Sequence, residues 1–165
     1  IDIDQLSERE ALSSKISELE SSLNQPIVLM KNDAFPFFDT SISKKVDFVN
    51  SVSLLNTKSI NDFEKKTNKK IETSIFRGNF CVDGIEPWKE REWIGKTIKI
   101  NNVLFKVEKN IPRCVAINLK PNTDDSSFNL LQLLKKNYNH FDMGIYLTPL
   151  NDGQINISDS LNLSM

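Results

Sequence analysis

The chain is predicted to be an α+β domain, mainly β, forming a β-barrel-like sheet with helices inserted between its strands. Two observations carry that expectation. From Thr73 to Leu119, short runs rich in apolar and β-branched residues alternate with turn signals. Helical spacing, by contrast, is confined to three separate segments, and the chain carries no internal repeat or low-complexity stretch.

Residues 5–23 read as an amphipathic helix, with Leu12, Ile16, Leu19 and Leu23 at helical spacing and a capping-box pattern in Ser7 and Glu10. Asn24-Gln25-Pro26 ends it, and Ile27-Val28-Leu29-Met30 follows as a short buried strand. Residues 31–47 are irregular, with Phe35, Phe37 and Phe38 expected to plug the core from a loop. Val49 to Leu55 reads as a strand. Ser59, three residues before Asp62, opens a short helix carrying Ile60 and Phe63. The basic run Lys65, Lys66, Lys69 and Lys70 is a solvated face, diluted by Glu64 and Glu72.

Strands are then expected over 74–83, 96–100, 103–109 and 112–119, with Asn101-Asn102 as a hairpin turn. A last helix spans roughly 127–138 and carries Leu130, Leu131, Leu133 and Leu134. Strands return over 144–150 and 154–163, around the turn Asn151-Asp152-Gly153.

At 165 residues and 18.9 kDa the chain is expected to form one domain over 1–165. Hydrophobic residues at 39% and charged residues at 26% place it among ordinary globular proteins. A net charge of -1 does not favour nucleic acid or anionic membranes as partners. No apolar run reaches the ~18 residues that would suggest a membrane span. Ile1-Asp2-Ile3-Asp4 lacks an initiator Met and a basic leader, so the start reads as a cut within a longer, N-terminally truncated domain. Two cysteines are too few for a disulfide framework, which makes a reducing, cytoplasmic setting the default.

The residues that could carry chemistry lie in two segments. On a strand over 112–119, Val115, Ile117 and Leu119 would face the core while Cys114 takes the opposite, more polar side. Arg113 beside it would favour a thiolate, provided a bulge turns both side chains the same way. A lone cysteine is more often a small core residue than a ligand, so the residues alone leave both readings open. On a strand over 74–83, Arg77 and Asn79 would share a face opposite Phe76 and Phe80, with Gly78 permitting a bulge or the close approach of a ligand. The arginine fork suits phosphate, and the asparagine amide can donate and accept. Cys81, within Phe80-Cys81-Val82, reads as packing.

Other chemistries have less support. Cys81, Cys114 and His140 lack the spacing of a zinc site, and a Cys114–His140 dyad has nothing in sequence to orient the imidazole. No nucleophile elbow, P-loop or dinucleotide fingerprint is present. Glu86, Glu90 and Glu92, beside Trp88 and Trp93, are expected to be solvated carboxylates on a turn that buries two indoles.

An ordered series of short motifs runs through Ser53-Leu54-Leu55-Asn56-Thr57, Phe76-Arg77-Gly78-Asn79, Val82-Asp83-Gly84, Pro87-Trp88, Trp93-Ile94-Gly95, Arg113-Cys114, Pro121-Asn122-Thr123, Gly144-Ile145-Tyr146 and Gly153-Gln154-Ile155. In order and interval it resembles the MOSC domain of molybdenum-cofactor sulfurases and their relatives. The likeness is nearest to small stand-alone bacterial members; nothing here resembles the pyridoxal-phosphate domain of the large sulfurases. The resemblance implies a MOSC-type β-barrel that binds the molybdenum cofactor (molybdopterin), with Cys114 as molybdenum ligand or sulfur carrier. It also implies cofactor contacts from Arg77, Asn79, Asn56, Thr57, Arg113 and Tyr146. The expected activity is two-electron reduction of N-hydroxylated or similar small compounds, with an electron-donor or sulfur-donor protein as partner. Two alternatives stand beside it: a metal-free carrier holding a persulfide on Cys114, and a non-catalytic binding domain.

Overall fold

The structure, a computed structural model, describes residues 2, 4–20, 22, 24–30, 50–121 and 129–163. The chain divides into two compact units, Ile1–Val49 and Asn50–Met165. In the first, helix α1 spans Leu6–Leu19, shorter than the expected 5–23. Gln5, not Ser7, occupies its N-cap, and no side chain caps it. Its apolar stripe is only partly covered, and Leu19 is exposed. Residues 26–30 join no strand, so the strand expected over 27–30 does not form. The aromatic stretch of 31–47 lies outside the described residues.

The second unit is mainly β with helices. Among the described residues its strands are β1 (Val52–Asn56), β2 (Phe80–Val82), β3 (Thr97–Ile100), β4 (Val103–Pro112), β5 (Asp142–Pro149) and β6 (Leu161–Leu163). They form one mixed sheet in the order β2-β1-β5-β4-β3-β6. Only β1 and β2 run parallel; every other pairing is antiparallel. The hairpin at Asn101-Asn102 forms as expected, with Asn101 in the left-handed region at φ 52°.

Alternation along the strands divides the interior in two. Leu54 joins Trp93, Ile98, Ile100, Val103, Phe105, Val107, Ile145 and Leu147 in one cluster. Its neighbour Leu55 packs in another, with Ile60, Phe63, Phe76, Ile117, Leu134 and Met143. Helices α2 (Thr57–Thr67) and α3 (Leu130–Tyr138) supply the apolar faces of this second cluster. Gly144, at φ 81°, allows the tight β1–β5 approach: a Cβ there would lie 2.5 Å from the Leu54 carbonyl oxygen.

Several expected elements differ. Helix α2 is capped by Asn56, whose Oδ1 accepts from the Lys58 amide at 3.0 Å, while Ser59 is buried inside the helix. The strand expected over 74–83 breaks into a 3₁₀ turn at Thr73–Phe76 and the short β2. Arg77, at φ 47°, ends that turn, so the predicted alternation of Arg77 and Asn79 on one strand does not exist. Gly78 is approached by the Leu55 side chain, which would meet an added Cβ at 2.5 Å. Strand β4 extends to Pro112, and the predicted strand over 112–119 is replaced by a 3₁₀ turn at Val115–Asn118. Consequently Val115, expected in the core, is 71% exposed, and Leu119 is exposed as well. Only Leu161–Leu163 of the expected 154–163 strand pairs. Residues 127 and 128 of the last predicted helix lie outside the described residues.

Candidate functional site

Cys114 sits just after β4 ends, in extended conformation at the N-cap of the Val115–Asn118 turn, and it is exposed. Pro112 contributes no N–H at the end of the ladder. Cys114 is then held by its neighbours: the Arg113 amide donates to the Phe141 carbonyl at 2.9 Å, and the Cys114 carbonyl accepts from the Ile117 amide at 3.2 Å.

The Arg113 side chain turns inward instead of joining the thiol on the surface. Its Nε donates to the Met143 carbonyl at 2.9 Å, its Nη2 contacts the same oxygen, and its Nη1 donates to the Phe76 carbonyl at 2.8 Å. The guanidinium lies 5.6 Å from the centre of the Phe76 ring. Burial lowers its pKa to about 10, against the opposing influence of nearby Tyr146, Cys114 and Asp142. The expectation that a bulge turns Arg113 and Cys114 the same way is not met: the strand ends at Pro112, and the guanidinium turns to the Met143 and Phe76 carbonyls while Cys114 is exposed. Arg77, directly after Phe76, is brought to the same neighbourhood and is exposed.

Tyr146 lies on β5, paired with Ser53 of β1 and Lys109 of β4. Asn79 extends this row. Its amide donates to the Ser53 carbonyl at 3.1 Å and to Ser53 Oγ at 2.9 Å, while its Oδ1 accepts from the Ser53 amide and hydroxyl at 2.9 and 2.8 Å. Asn79, just before β2, thus continues a polar line that Ser53, Tyr146 and Lys109 form across three strands. In it, Asn79 acts as an extra rung of the β1–β2 ladder.

Asn56 and Thr57 lie elsewhere, at the junction of β1 and α2. Asn56 is fully buried, and its Nδ2 donates to the Glu86 carbonyl at 2.9 Å and to Glu90 Oε2 at 2.8 Å. Thr57 Oγ1 donates to Asp83 Oδ1 at 2.9 Å. Glu90 corrects an expectation: it is not a solvated carboxylate but is fully buried, accepting also from Ser59 Oγ at 2.8 Å. Sequence reasoning missed this cluster because the partners are some thirty positions apart and none has an unusual local pattern. Cys81 was also expected to pack, yet it is exposed on β2; partial cover still pushes its thiol above the ordinary value.

A second cluster was equally hidden. Asp62 accepts from Trp88 Nε1 at 2.8 Å and from the Tyr138 hydroxyl at 2.7 Å, with Lys66 Nζ at 3.7 Å. His140 stacks on Tyr138 at 5.8 Å and accepts from the Asp142 amide on Nδ1. The imidazole is thus oriented by the Asp142 amide and the Tyr138 ring. Among the described residues no group of three or more His, Cys, Asp or Glu side chains could hold a metal ion.

Residues 45–162 match the profile of the MOSC domain. The chain belongs to the MOSC domain family. The chain is similar to mitochondrial amidoxime reducing component 2 from Bos taurus, 28% identical over 92 residues, covering 56% of this chain and 27% of that protein. The chain thus spans about a quarter of that relative's length. Among solved structures, YiiM from Geobacillus stearothermophilus aligns with a TM-score of 0.49 at 14% identity, over 69% of this chain and 54% of that one.

Set against a molybdenum–pterin group, the MOSC residues divide by what they have left to offer. Cys114 presents an exposed sulfur, the donor that a soft metal centre takes. Arg77 presents an exposed guanidinium able to pair with phosphate. Asn56 is sealed in the protein, and Arg113 and Asn79 have turned most of their hydrogen-bonding capacity inward. An exposed thiol and an exposed guanidinium are donors of the kind that such a group takes. No helix among the described residues is long and apolar enough to cross a membrane.

Proposed function

We propose that this MOSC chain holds the molybdenum cofactor, with the Cys114 sulfur as the protein's ligand to molybdenum and Arg77 as a contact to the pterin phosphate. One observation carries the reading: in a MOSC family member, the cysteine of the Arg-Cys pair stands exposed where β4 has just ended, within reach of solvent and of a ligand. Members of the MOSC family bind this cofactor. Tyr146 and Asn79 would border the group on the polar line across the sheet. When bound, the cofactor supplies two-electron redox chemistry; the chain binds it, orients it and leaves one side open to substrate.

N-hydroxylated small compounds are the substrate class that we assign, since the mitochondrial relative is named for amidoxime reduction. Electrons would come from a separate donor protein. The second reading is a metal-free carrier with a persulfide on Cys114, favoured by the exposure of that thiol to a partner.

Elemental analysis of protein from a cofactor-competent host decides between them, with Cys114→Ala and Cys81→Ala in parallel. The expected result is molybdenum on wild type and on Cys81→Ala but not on Cys114→Ala. Metal-free wild type bearing a cyanide-labile sulfur on Cys114 would overturn the cofactor reading in favour of the carrier. Neither species would leave a binding domain.

A further inference from the structure

The geometry points to Arg113 as a positioning residue that sets Cys114 and Arg77 in one site, in place of the direct cofactor contact that the Arg-Cys pair implies. Three of the five N–H donors on the guanidinium are directed at backbone carbonyls: Nη1 at Phe76, and Nε with Nη2 at Met143. These carbonyls belong to segments far apart in sequence, the turn before Arg77 and the start of β5. The side chain is half-buried and lies against the Phe76 ring, as befits a group withdrawn from solvent.

Its backbone completes the clip. The Arg113 amide reaches Phe141, and the next residue is Cys114. One side chain and one amide therefore join three elements: the Thr73–Phe76 turn that presents Arg77, the entry to β5 that leads to Tyr146, and the cysteine itself. β5 is held in the sheet by β1 and β4, but the other two lie outside its ladder. Arg77 stands in left-handed conformation, outside any strand, and Cys114 lies in the gap between a strand end and a single 3₁₀ turn. A lysine could not replace this fork, because a single ammonium on a flexible stem cannot hold two separated carbonyls in fixed directions.

This inference rests on the cofactor reading only for its consequence. The clip itself can be measured on metal-free protein. The experiment is hydrogen exchange by mass spectrometry on the full chain as wild type, Arg113→Gln and Arg113→Lys, reading peptides over 73–79, 113–119 and, as reference, 97–107. Molybdenum content is measured on the same variants from a cofactor-competent host.

In Arg113→Gln, exchange should rise at least tenfold in both 73–79 and 113–119 with 97–107 unchanged, and molybdenum content should fall at least threefold. Arg113→Lys should fall between the two. Unchanged exchange at 73–79 would overturn the inference, because a residue that only touched cofactor would leave that turn closed in the metal-free protein. Wild-type molybdenum content in an opened Arg113→Gln would overturn it too. Should Arg113→Gln fail to fold, Arg113→Lys decides: partial opening of both segments supports the clip, and wild-type exchange at both overturns it. Metal-free wild type sinks the cofactor reading while the exchange result still judges the clip.

Discussion

Glu90 Oε2 accepts the side-chain amide of Asn56 at 2.8 Å, and both residues are wholly buried. This contact joins the end of β1 to the 3₁₀ turn Lys89–Trp93, and Ser59 adds its hydroxyl to the same carboxylate. A buried carboxylate is costly unless its oxygens find donors, and here both do. Glu90→Ala should destabilise the domain by about 2–4 kcal/mol, since it strands the Ser59 hydroxyl and one hydrogen of the Asn56 amide. Glu90→Gln, which keeps one acceptor, should cost clearly less. Urea unfolding of the two variants checks this; equal midpoints would show that hydrogen bonding does not hold the junction.

Two glycines with nearly the same φ make a paired test. Gly84 and Gly144 stand at φ 80° and 81°, but an added Cβ meets nothing within 4 Å at Gly84, whereas at Gly144 it meets the Leu54 carbonyl oxygen at 2.5 Å. Gly84→Ala should therefore cost only the backbone term, about 1–2 kcal/mol. Gly144→Ala adds a clash between β1 and β5 that backbone cannot relieve cheaply, and should leave little folded protein. Thermal melts of the two variants give the comparison.

Asp62 predicts a pH dependence. Burial pushes its carboxyl up, but hydrogen bonds from Trp88 and Tyr138 and the charge of Lys66 outweigh that, so its pKa lies below the ordinary value. A carboxyl lowered on folding adds stability that is present above the unfolded value of about 3.9 and is lost as pH falls through the folded one. Between pH 7 and pH 5, Asp62 should contribute no slope. Below about pH 4, the stability difference between wild type and Asp62→Asn should shrink. Chemical denaturation across that range checks it, and a constant difference would dismiss the assignment.

His140 acts in the same direction at higher pH. Burial and neighbouring Arg91 lower its pKa despite Asp142. A base whose pKa falls on folding costs stability once the unfolded chain starts to take up the proton, so stability should decline as pH drops below about 6.5. His140→Gln should flatten that decline.

How much of this was legible beforehand depended on distance along the chain. Strands β3 and β4 and their Asn101-Asn102 turn were readable because alternation and turn chemistry are local, as were the apolar faces of α2 and α3. The strands predicted over 74–83 and 112–119 were not, because β-branched and aromatic composition cannot distinguish a strand from a 3₁₀ turn that buries Phe76 or Ile117. The motif series pointed to Cys114 and the family, yet not to what its members do here. Asn56 and Arg113 turned out to spend their polar groups inward, because hydrogen-bond partners thirty or more positions away leave no periodic trace.

The strand order sets a timetable for assembly. β1 pairs with β5 through Leu54 and Ile145, roughly ninety positions apart, and contacts of such high sequence separation form late and slowly. The Met143 carbonyl that receives Arg113 lies at the entry to that same strand. A chain emerging from the ribosome would therefore hold Cys114 unframed until β5 has followed it out. The frame around Cys114 would thus form as one event with the pairing of β5 into the sheet.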